Sequence, residues 1–186
     1  NRYRAGLQAD GSWPDIDYAD QSTTNWKPAE HIGRLLTLAQ AWSAAGPAFH
    51  RKEMLLEEIN AALNYWLQKD PRRRWWWDSV GIPGSMGWIL LLMENEITDS
   101  QRTKGIEILK RAVLGTTGQN LVWQAEITMR RALLQNDPEL FRQALERIAS
   151  EINITEEEGI QADFSFHQHG PCLYNHGYGA AFAEDN

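Results

Sequence analysis

The feature that most constrains the fold is a series of amphipathic segments with helical spacing, separated by glycine and proline. Apolar residues recur every three or four positions, which places them on one helical face. Segments of this kind begin near residues 28, 48, 83, 100, 120 and 138, and the breakers between them include Gly46-Pro47, Asp70-Pro71 and Asp137-Pro138. We therefore predict an all-α fold of three antiparallel helical hairpins joined by short loops.

Each amphipathic segment has a face that we predict to be buried. The predicted inward residues are Ile32, Leu35, Leu36, Ala39 and Trp42, then Leu55, Ile59, Ala62, Leu63 and Trp66, then Ile106, Leu109, Ala112 and Val113, then Val122, Ala125, Met129, Ala132 and Leu133, and finally Phe141, Ala144, Leu145 and Ile148. Residues 1–25 are expected to be irregular, and strand-like alternation is confined to residues 159–166. Because the hairpins share no sequence signature, a helical toroid or irregular bundle is favoured over a tetratricopeptide-like solenoid.

Composition excludes several classes of protein. The length of 186 residues is that of one domain, or of part of a larger one. The formal net charge of −7 argues against a general nucleic-acid binder, and no apolar run approaches the roughly 18 residues of a membrane span. Cys172 is the single cysteine, so an internal disulfide framework and a cysteine-rich metal site are both excluded. We expect neither a nucleic-acid nor a membrane partner.

Titratable side chains are concentrated in the loop Ser165–Gly179. Three of the five histidines, His167, His169 and His176, and two of the five tyrosines, Tyr174 and Tyr178, stand there among glycines. This composition suits a reactive loop, although backbone-bonded histidines and a core tyrosine are the ordinary alternatives. The three histidines are also candidate metal ligands, but no HExxH motif or cysteine set completes such a site. We expect no metal and no cofactor.

Asn120 is a second candidate, together with His169 and Tyr178. An amide donor can stabilise the charge that develops when a carbon-bound proton beside a carboxylate is removed, as in β-elimination from a uronic acid. A tyrosine can take that proton and pass it to the leaving oxygen, provided that cationic neighbours lower its pKa from about 10. The alternative role for Asn120 is a helix cap, because it precedes an apolar periodic segment.

The stretch Arg72–Asp78 contains three arginines followed by Trp75, Trp76 and Trp77. Adjacent tryptophans cannot all point into one core, so we expect at least one of Trp75 and Trp76 to line a surface or cleft. Tryptophan faces stack on sugar rings, and arginines pair with carboxylates or sulfates. The alternative is a solvated basic turn followed by core tryptophans. The acidic run Glu156-Glu-Glu158 is expected to be a solvated loop.

These motifs support a family resemblance. The stretch Asp163–Phe182, with its sequence DFSFHQHGPCLYNHGYGAAF, resembles the catalytic segment of polysaccharide lyase family 8, which includes chondroitin AC, hyaluronate and xanthan lyases. The motif Thr117–Val122 stands about fifty residues upstream, where that family has its asparagine, and Trp75–Pro83 resembles its double-tryptophan segment. Residues 1–45 are similar to the start of its α-helical domain.

The resemblance implies a role for each matched residue. Asn120, His169 and Tyr178 would be catalytic, with Tyr178 as base and acid, and Trp75 and Trp76 would bind the sugar. The fold would be part of an incomplete (α/α) toroid, with residues 1–186 a single α-helical domain at the N-terminal side of a larger catalytic domain. The family's catalytic arginine and assisting glutamate would lie downstream, so we expect the isolated chain to lack part of the site.

The predicted function is cleavage of a uronic-acid-containing acidic polysaccharide of chondroitin, hyaluronan or xanthan type by β-elimination. The enzyme would be a cofactor-free carbon–oxygen lyase, secreted or periplasmic as the resemblance implies. One alternative is a non-catalytic carbohydrate-binding helical module, which the tryptophan cluster also suits. Another is a helical glycoside hydrolase, which requires a facing carboxylate pair that the sequence does not offer.

Overall fold

The computed structural model describes residues 2–44 and 53–186, and the chain divides into two compact units, residues 1–111 and 112–186. The first unit contains α1 (Arg2–Gly6), α2 (Ala29–Ser43), α3 (Glu53–Lys69), a π-helical turn (Trp77–Gly81), α4 (Ile82–Leu92) and α5 (Asp99–Leu109). The second contains α6 (Gly118–Gln135), α7 (Pro138–Glu151), β1 (Gly159–Ile160), β2 (Phe166–His167), a kinked turn (Asn175–Gly179) and α8 (Ala180–Asp185). The predicted break at Gly46-Pro47 and the predicted helix start near Ala48 lie outside the described residues.

The first hairpin packs as its periodicity predicts. Pro28 immediately precedes α2, and every predicted face residue of α2 except Leu36 is buried. The face of α3 from Leu55 to Trp66 is buried as well. Residues 1–25 were expected to be irregular, and that prediction is wrong for Arg2–Gly6, which forms the short helix α1.

The helices of the second hairpin, α4 and α5, begin within one residue of the predicted starts at residues 83 and 100. Thr98 accepts a hydrogen bond from the backbone of Gln101 and Gln101 bonds back to the backbone of Thr98, a reciprocal cap that fixes the start of α5. The prediction that Val113 faces inward is wrong, because α5 ends at Leu109 and the Val113 side chain is 66% exposed.

The second unit pairs α6 with α7 and adds a short antiparallel hairpin, in which Ile160 faces Phe166. Val122 of α6, Phe166 of β2 and Phe182 of α8 form its small core, against which Ile160 and Tyr178 pack. The strand-like alternation predicted for residues 159–166 is correct only at the two ends of that stretch, because residues 161–165 between β1 and β2 are not strand. This core is what brings the loop of histidines and tyrosines against the start of α6.

Two predicted inward positions in the helices of this unit are also wrong. Leu133 is 56% exposed while its neighbour Leu134 is buried, so Leu134 takes the inward position near the end of α6. Leu145 is 50% exposed, and Ala144 is the buried residue of α7. Periodicity identifies the apolar face of a helix but not whether another element covers it. Within the described residues, none of the helices is long and apolar enough to cross a membrane.

Candidate active site

The first turn of α6 is held by side chains from later in the chain. The Gly118 N–H donates to Glu151 Oε2 over 2.6 Å, and the Gln119 N–H donates to Gln168 Oε1 over 3.0 Å. A carboxylate at a helix N-terminus also interacts favourably with the helix dipole. The helix therefore begins at Gly118, and the interpretation of Asn120 as a cap is wrong, because Asn120 is the third residue of the helix.

Gln168, one residue before His169, connects the reactive loop to α6. Its side chain is fully buried, and its amide nitrogen donates to Glu158 and, over 3.5 Å, to the Thr117 carbonyl. Gly118 has a φ of +56°, and a Cβ there would lie 2.5 Å from Gln168 Oε1. Glycine at position 118 thus allows both the backbone turn and the close approach of Gln168.

Glu158 is part of this junction, which corrects the prediction of a solvated acidic loop. Its carboxylate accepts hydrogen bonds from the Thr117 hydroxyl over 2.7 Å, from the Gly170 N–H over 2.9 Å and from Gln168. These bonds hold both neighbours of His169, Gln168 through its side chain and Gly170 through its backbone N–H. His169 itself has a φ of +62°, in the left-handed region that few non-glycine residues adopt.

Three aromatic rings of the loop meet beside α6. The rings of His169 and Tyr178 are perpendicular (88°), with centroids 5.0 Å apart. Tyr174 lies perpendicular to Tyr178 at 5.0 Å and close to perpendicular to His169 at 5.9 Å. Trp123 of α6 contacts the other side of Tyr178, with centroids 5.5 Å apart. The structure therefore brings His169 and Tyr178 together, as the sequence predicted.

Asn120 lies one helical turn before Trp123, and residues three apart share a helix face. Its side chain is 6% exposed, and its Oδ1 has no hydrogen-bond partner among the described residues. An unpartnered buried polar atom is uncommon in native proteins and calls for an explanation. The amide of Asn120 is thus not used to hold the described part of the structure together.

The electrostatic environment keeps Tyr178 protonated. Partial burial raises the pKa of its phenol, and repulsion from a second negative charge, that of an ionised Tyr174 or of Glu158, raises it further. The prediction had assumed cationic neighbours that lower this pKa, and the described residues have the opposite net effect. A cation from substrate, solvent or another part of the protein is needed before Tyr178 can act as a base.

The histidines of the loop do not converge. Among the described residues, no group of three or more His, Cys, Asp or Glu side chains is arranged to hold a metal ion. His176 lies in the kinked turn with extended backbone, and the single cysteine, Cys172, is exposed.

The tryptophan segment, Trp75–Trp77, belongs to the first unit, and Trp77 is the first residue of the π-helical turn that precedes α4. Trp75 is 45% exposed, whereas Trp76 packs over Gly81 and meets Trp77 edge-on at 5.0 Å. Of the neighbouring arginines, Arg72 forms a two-point ion pair with Asp78. Arg73 donates to the Ser22 carbonyl and to Gln21, so both arginines are engaged within the first unit.

The comparisons with known proteins identify the family. Residues 4–184 match the N-terminal α-helical domain of polysaccharide lyase family 8. The chain belongs to this family.

This family 8 chain is similar to known lyases both in sequence and in fold. It is 34% identical to the Chondroitinase-AC of Pedobacter heparinus over 182 residues, covering 95% of the chain and 26% of the relative. It is 28% identical to the Xanthan lyase of a Bacillus species, covering 95% of the chain and 21% of the relative. A solved chondroitinase AC lyase, studied as enzyme–oligosaccharide complexes, superposes with a TM-score of 0.91 at 32% identity, over 99% of this chain and 28% of that one. The predicted fold class of antiparallel helical hairpins is confirmed.

The chondroitin AC lyase of Streptomyces coelicolor A3, solved with chondroitin sulphate, superposes with a TM-score of 0.86 at 20% identity, over 99% of this chain and 27% of that one. The family 8 chain spans about a quarter of the length of the curated relatives.

Sequence reasoning missed four residues of this family 8 site: Trp123, Glu158, Gln168 and Tyr174. Trp123 stands at helical spacing from Asn120, so the i, i+3 rule offered a signal for it. Tyr174 lies within the loop that was singled out. The partners of Glu158 and Gln168 lie up to 41 and 51 residues away in sequence, and no local pattern indicates such pairings.

Proposed function

We propose that the complete protein is a polysaccharide lyase that cleaves a uronic-acid-containing polymer of the chondroitin, hyaluronan or xanthan type by β-elimination. The observation that carries this proposal is the perpendicular contact of His169 with Tyr178 beside the first turn of α6. Membership of family 8 and 34% identity to a chondroitinase support the same reaction class. The chain alone represents about a quarter of such an enzyme.

In this reaction Tyr178 takes the proton from C5 of the uronate. The electron pair left on C5 forms the double bond to C4, the C4–O bond breaks, and the phenol returns the proton to the leaving glycosidic oxygen. The elimination neither oxidises nor reduces the substrate overall, and it requires no cofactor. Asn120 donates from its amide to the uronate carboxylate and stabilises the charge of the enolate-like intermediate. His169 supports that interaction or the tyrosinate.

The raised pKa of Tyr178 sets a further requirement. A base that is protonated at neutral pH needs cationic help near its oxygen, and family 8 has an arginine and an assisting glutamate downstream of this region. The remainder of the catalytic domain supplies these residues in our proposal. Assays of activity therefore require the complete natural protein.

Trp75 and Trp76 bind sugar rings in the same proposal. Trp75 presents nearly half of its surface to solvent, and an exposed indole face is a suitable platform for a sugar ring. Arg74 adjoins it with an exposed side chain, while Arg72 and Arg73 are engaged within the first unit. The carboxylates or sulfates of an acidic polymer would pair with this arginine. In the same proposal the enzyme acts outside the cytoplasm, as a secreted or periplasmic protein, which its membership of family 8 supports.

A substrate panel tests the proposal. The complete protein is incubated with chondroitin, hyaluronan, xanthan and alginate, and the ultraviolet absorbance of unsaturated uronate is followed. We expect absorbance to rise with at least one of the first three polymers. Binding without unsaturated product would favour a non-catalytic carbohydrate-binding module, and cleavage without a double bond would indicate a hydrolase.

A further inference from the structure

A third ring, Tyr174, completes a triangle with the two proposed catalytic rings. Its centroid lies 5.0 Å from that of Tyr178, at an interplanar angle of 88°. It lies 5.9 Å from that of His169, at 76°. The Tyr174 side chain is 39% exposed, so it lies at the mouth of the cluster rather than beneath it. Perpendicular packing is a favoured geometry for aromatic pairs.

Ring contacts are what hold these side chains in place. Among the described residues, neither the imidazole of His169 nor the hydroxyls of Tyr174 and Tyr178 have a hydrogen-bond partner in the chain. Their polar ends are therefore available to a ligand. The orientation of His169 and Tyr178 then depends on packing, which Trp123 provides on one side of Tyr178 and Tyr174 provides for both rings.

The backbone holds Tyr174 firmly enough for this purpose. Its N–H donates to the Phe166 carbonyl over 2.7 Å, and its carbonyl accepts from the Gly179 N–H over 2.9 Å. Gly177, with a φ of +81°, reverses the chain so that Tyr178 returns to the Tyr174 ring, and a Cβ at position 177 would lie 3.6 Å from Tyr174 Cε1. The backbone of Tyr174 is thus tied to the core residue Phe166 on one side and to Gly179 on the other.

We propose that Tyr174 is a positioning residue of the lyase reaction, whose ring fixes the relative orientation of His169 and Tyr178. This inference rests on the proposed function and adds to it a residue that acts through the other two. The ring carries the role, and the hydroxyl has a separate, electrostatic effect. The titratable groups that face Tyr178 are His169, Tyr174 and Glu158, and the charge of Tyr174 opposes ionisation of Tyr178.

The test uses Tyr174→Ala and Tyr174→Phe in the complete protein, with Leu173→Ala as a matched control. Leu173 precedes Tyr174 in the same loop and is 66% exposed, so its loss reports on loosening of the loop alone. We expect Tyr174→Ala to lower kcat by about tenfold or more while KM stays within about threefold. Tyr174→Phe keeps the ring and should keep kcat within about threefold of wild type, as should Leu173→Ala.

A second readout does not depend on turnover. The titration of Tyr178 is followed by NMR of isotope-labelled tyrosine Cζ, with the signal assigned by its loss in Tyr178→Phe. We expect Tyr174→Phe to move this titration to lower pH, because a neighbouring negative charge has been removed, and Leu173→Ala to leave it unchanged. An inactive wild-type protein would refute the proposed function, whereas this titration reports separately whether Tyr174 lies against Tyr178 in solution.

Three results would overturn the role of Tyr174. Tyr174→Ala could keep wild-type kcat, or Tyr174→Phe could lose as much kcat as Tyr174→Ala, which would assign the role to the hydroxyl. A Tyr178 titration that does not move in Tyr174→Phe would show that the two rings are not in contact in solution.

Discussion

At the scale of single residues, Asn120 combines burial with an unused hydrogen-bonding group. Its Oδ1 is buried without a partner among the described residues. Leaving such a group unsatisfied costs about 1–3 kcal/mol of stability. A residue retained for structure would be expected to use its amide. In our account Asn120 is retained for its Nδ2 group, which donates to the substrate carboxylate, and the unsatisfied Oδ1 is a cost in stability that comes with it.

Replacement of Asn120 by alanine should therefore separate activity from stability. We expect Asn120→Ala to lower kcat by about 10²–10³, the usual cost of losing one donor to a developing charge. The free energy of unfolding should stay the same or rise by up to about 1 kcal/mol, because alanine removes the unsatisfied group and favours the helix. Denaturant unfolding and steady-state kinetics measure the two effects. A stability loss of about 2 kcal/mol with activity retained would mean that Asn120 is a structural residue.

At the scale of elements, the junction between α6 and the reactive loop depends on Gly118. Its positive φ and the nearness of Gln168 Oε1 leave no room for a side chain. The oxygen belongs to a flexible side chain, but Gln168 is fully buried and its amide is held by Gln119, Thr117 and Glu158. Displacing it would break the bonds that place His169.

We predict that Gly118→Ala destabilises the protein by about 1–3 kcal/mol, through the left-handed backbone and the loss of hydrogen bonds. The matched control is Gly115→Ala in the same linker, where the nearest atom to an added Cβ is Val113 Cγ1 at 4.0 Å and φ is not positive. That variant should stay within about 0.5 kcal/mol of wild type. Urea unfolding of both variants provides the measurement. Equal effects at the two glycines would contradict the assigned role of Gly118.

The elements also show how far the sequence could predict the structure. Helical periodicity and Gly/Pro breakers predicted the hairpins, and the local motif around His169 and Tyr178 indicated that they meet. Periodicity could not predict that Leu145 stays exposed, because coverage depends on the placement of other elements. Nor could it predict that Glu158 bonds Thr117 and Gly170, which are distant in sequence. The raised pKa of Tyr178 follows from burial and from neighbours that only the fold brings close.

At the scale of the whole molecule, stability should depend on pH through the core of the first unit. His31 is fully buried, its Nε2 lies 2.9 Å from the Ala62 carbonyl, and its Nδ1 lies 2.9 Å from the Tyr18 hydroxyl. Its ring also contacts Trp13, Tyr65 and Trp66. Burial lowers the pKa of His31 to about 4 and raises the pKa of Tyr18 to about 12, so both groups are neutral in the folded protein near neutral pH.

Because the pKa of His31 is lowered on folding, the free energy of unfolding falls as the pH decreases. The unfolded chain takes up a proton at His31 below about pH 6.5, whereas the folded protein does so only near pH 4. We expect the free energy of unfolding to fall by about 2–3 kcal/mol between about pH 7 and about pH 4.5. The groups with lowered carboxyl pKa values, such as Asp20 and Glu139, act at lower pH. In His31→Gln this fall should be absent, and an unchanged pH dependence would refute the assignment.

The central claim concerns the complete enzyme, in which this chain supplies the proposed base. The most direct measurement is the release of unsaturated uronate from chondroitin and hyaluronan by the wild-type protein and by Tyr178→Phe, with melting curves recorded for both. Phenylalanine keeps the ring contacts with His169, Tyr174 and Trp123 and removes the oxygen that takes the proton. The account predicts ultraviolet-absorbing product from the wild type and none from the folded Tyr178→Phe variant. Turnover retained by that variant, or polymer cleavage by the wild type without an unsaturated end, would contradict it.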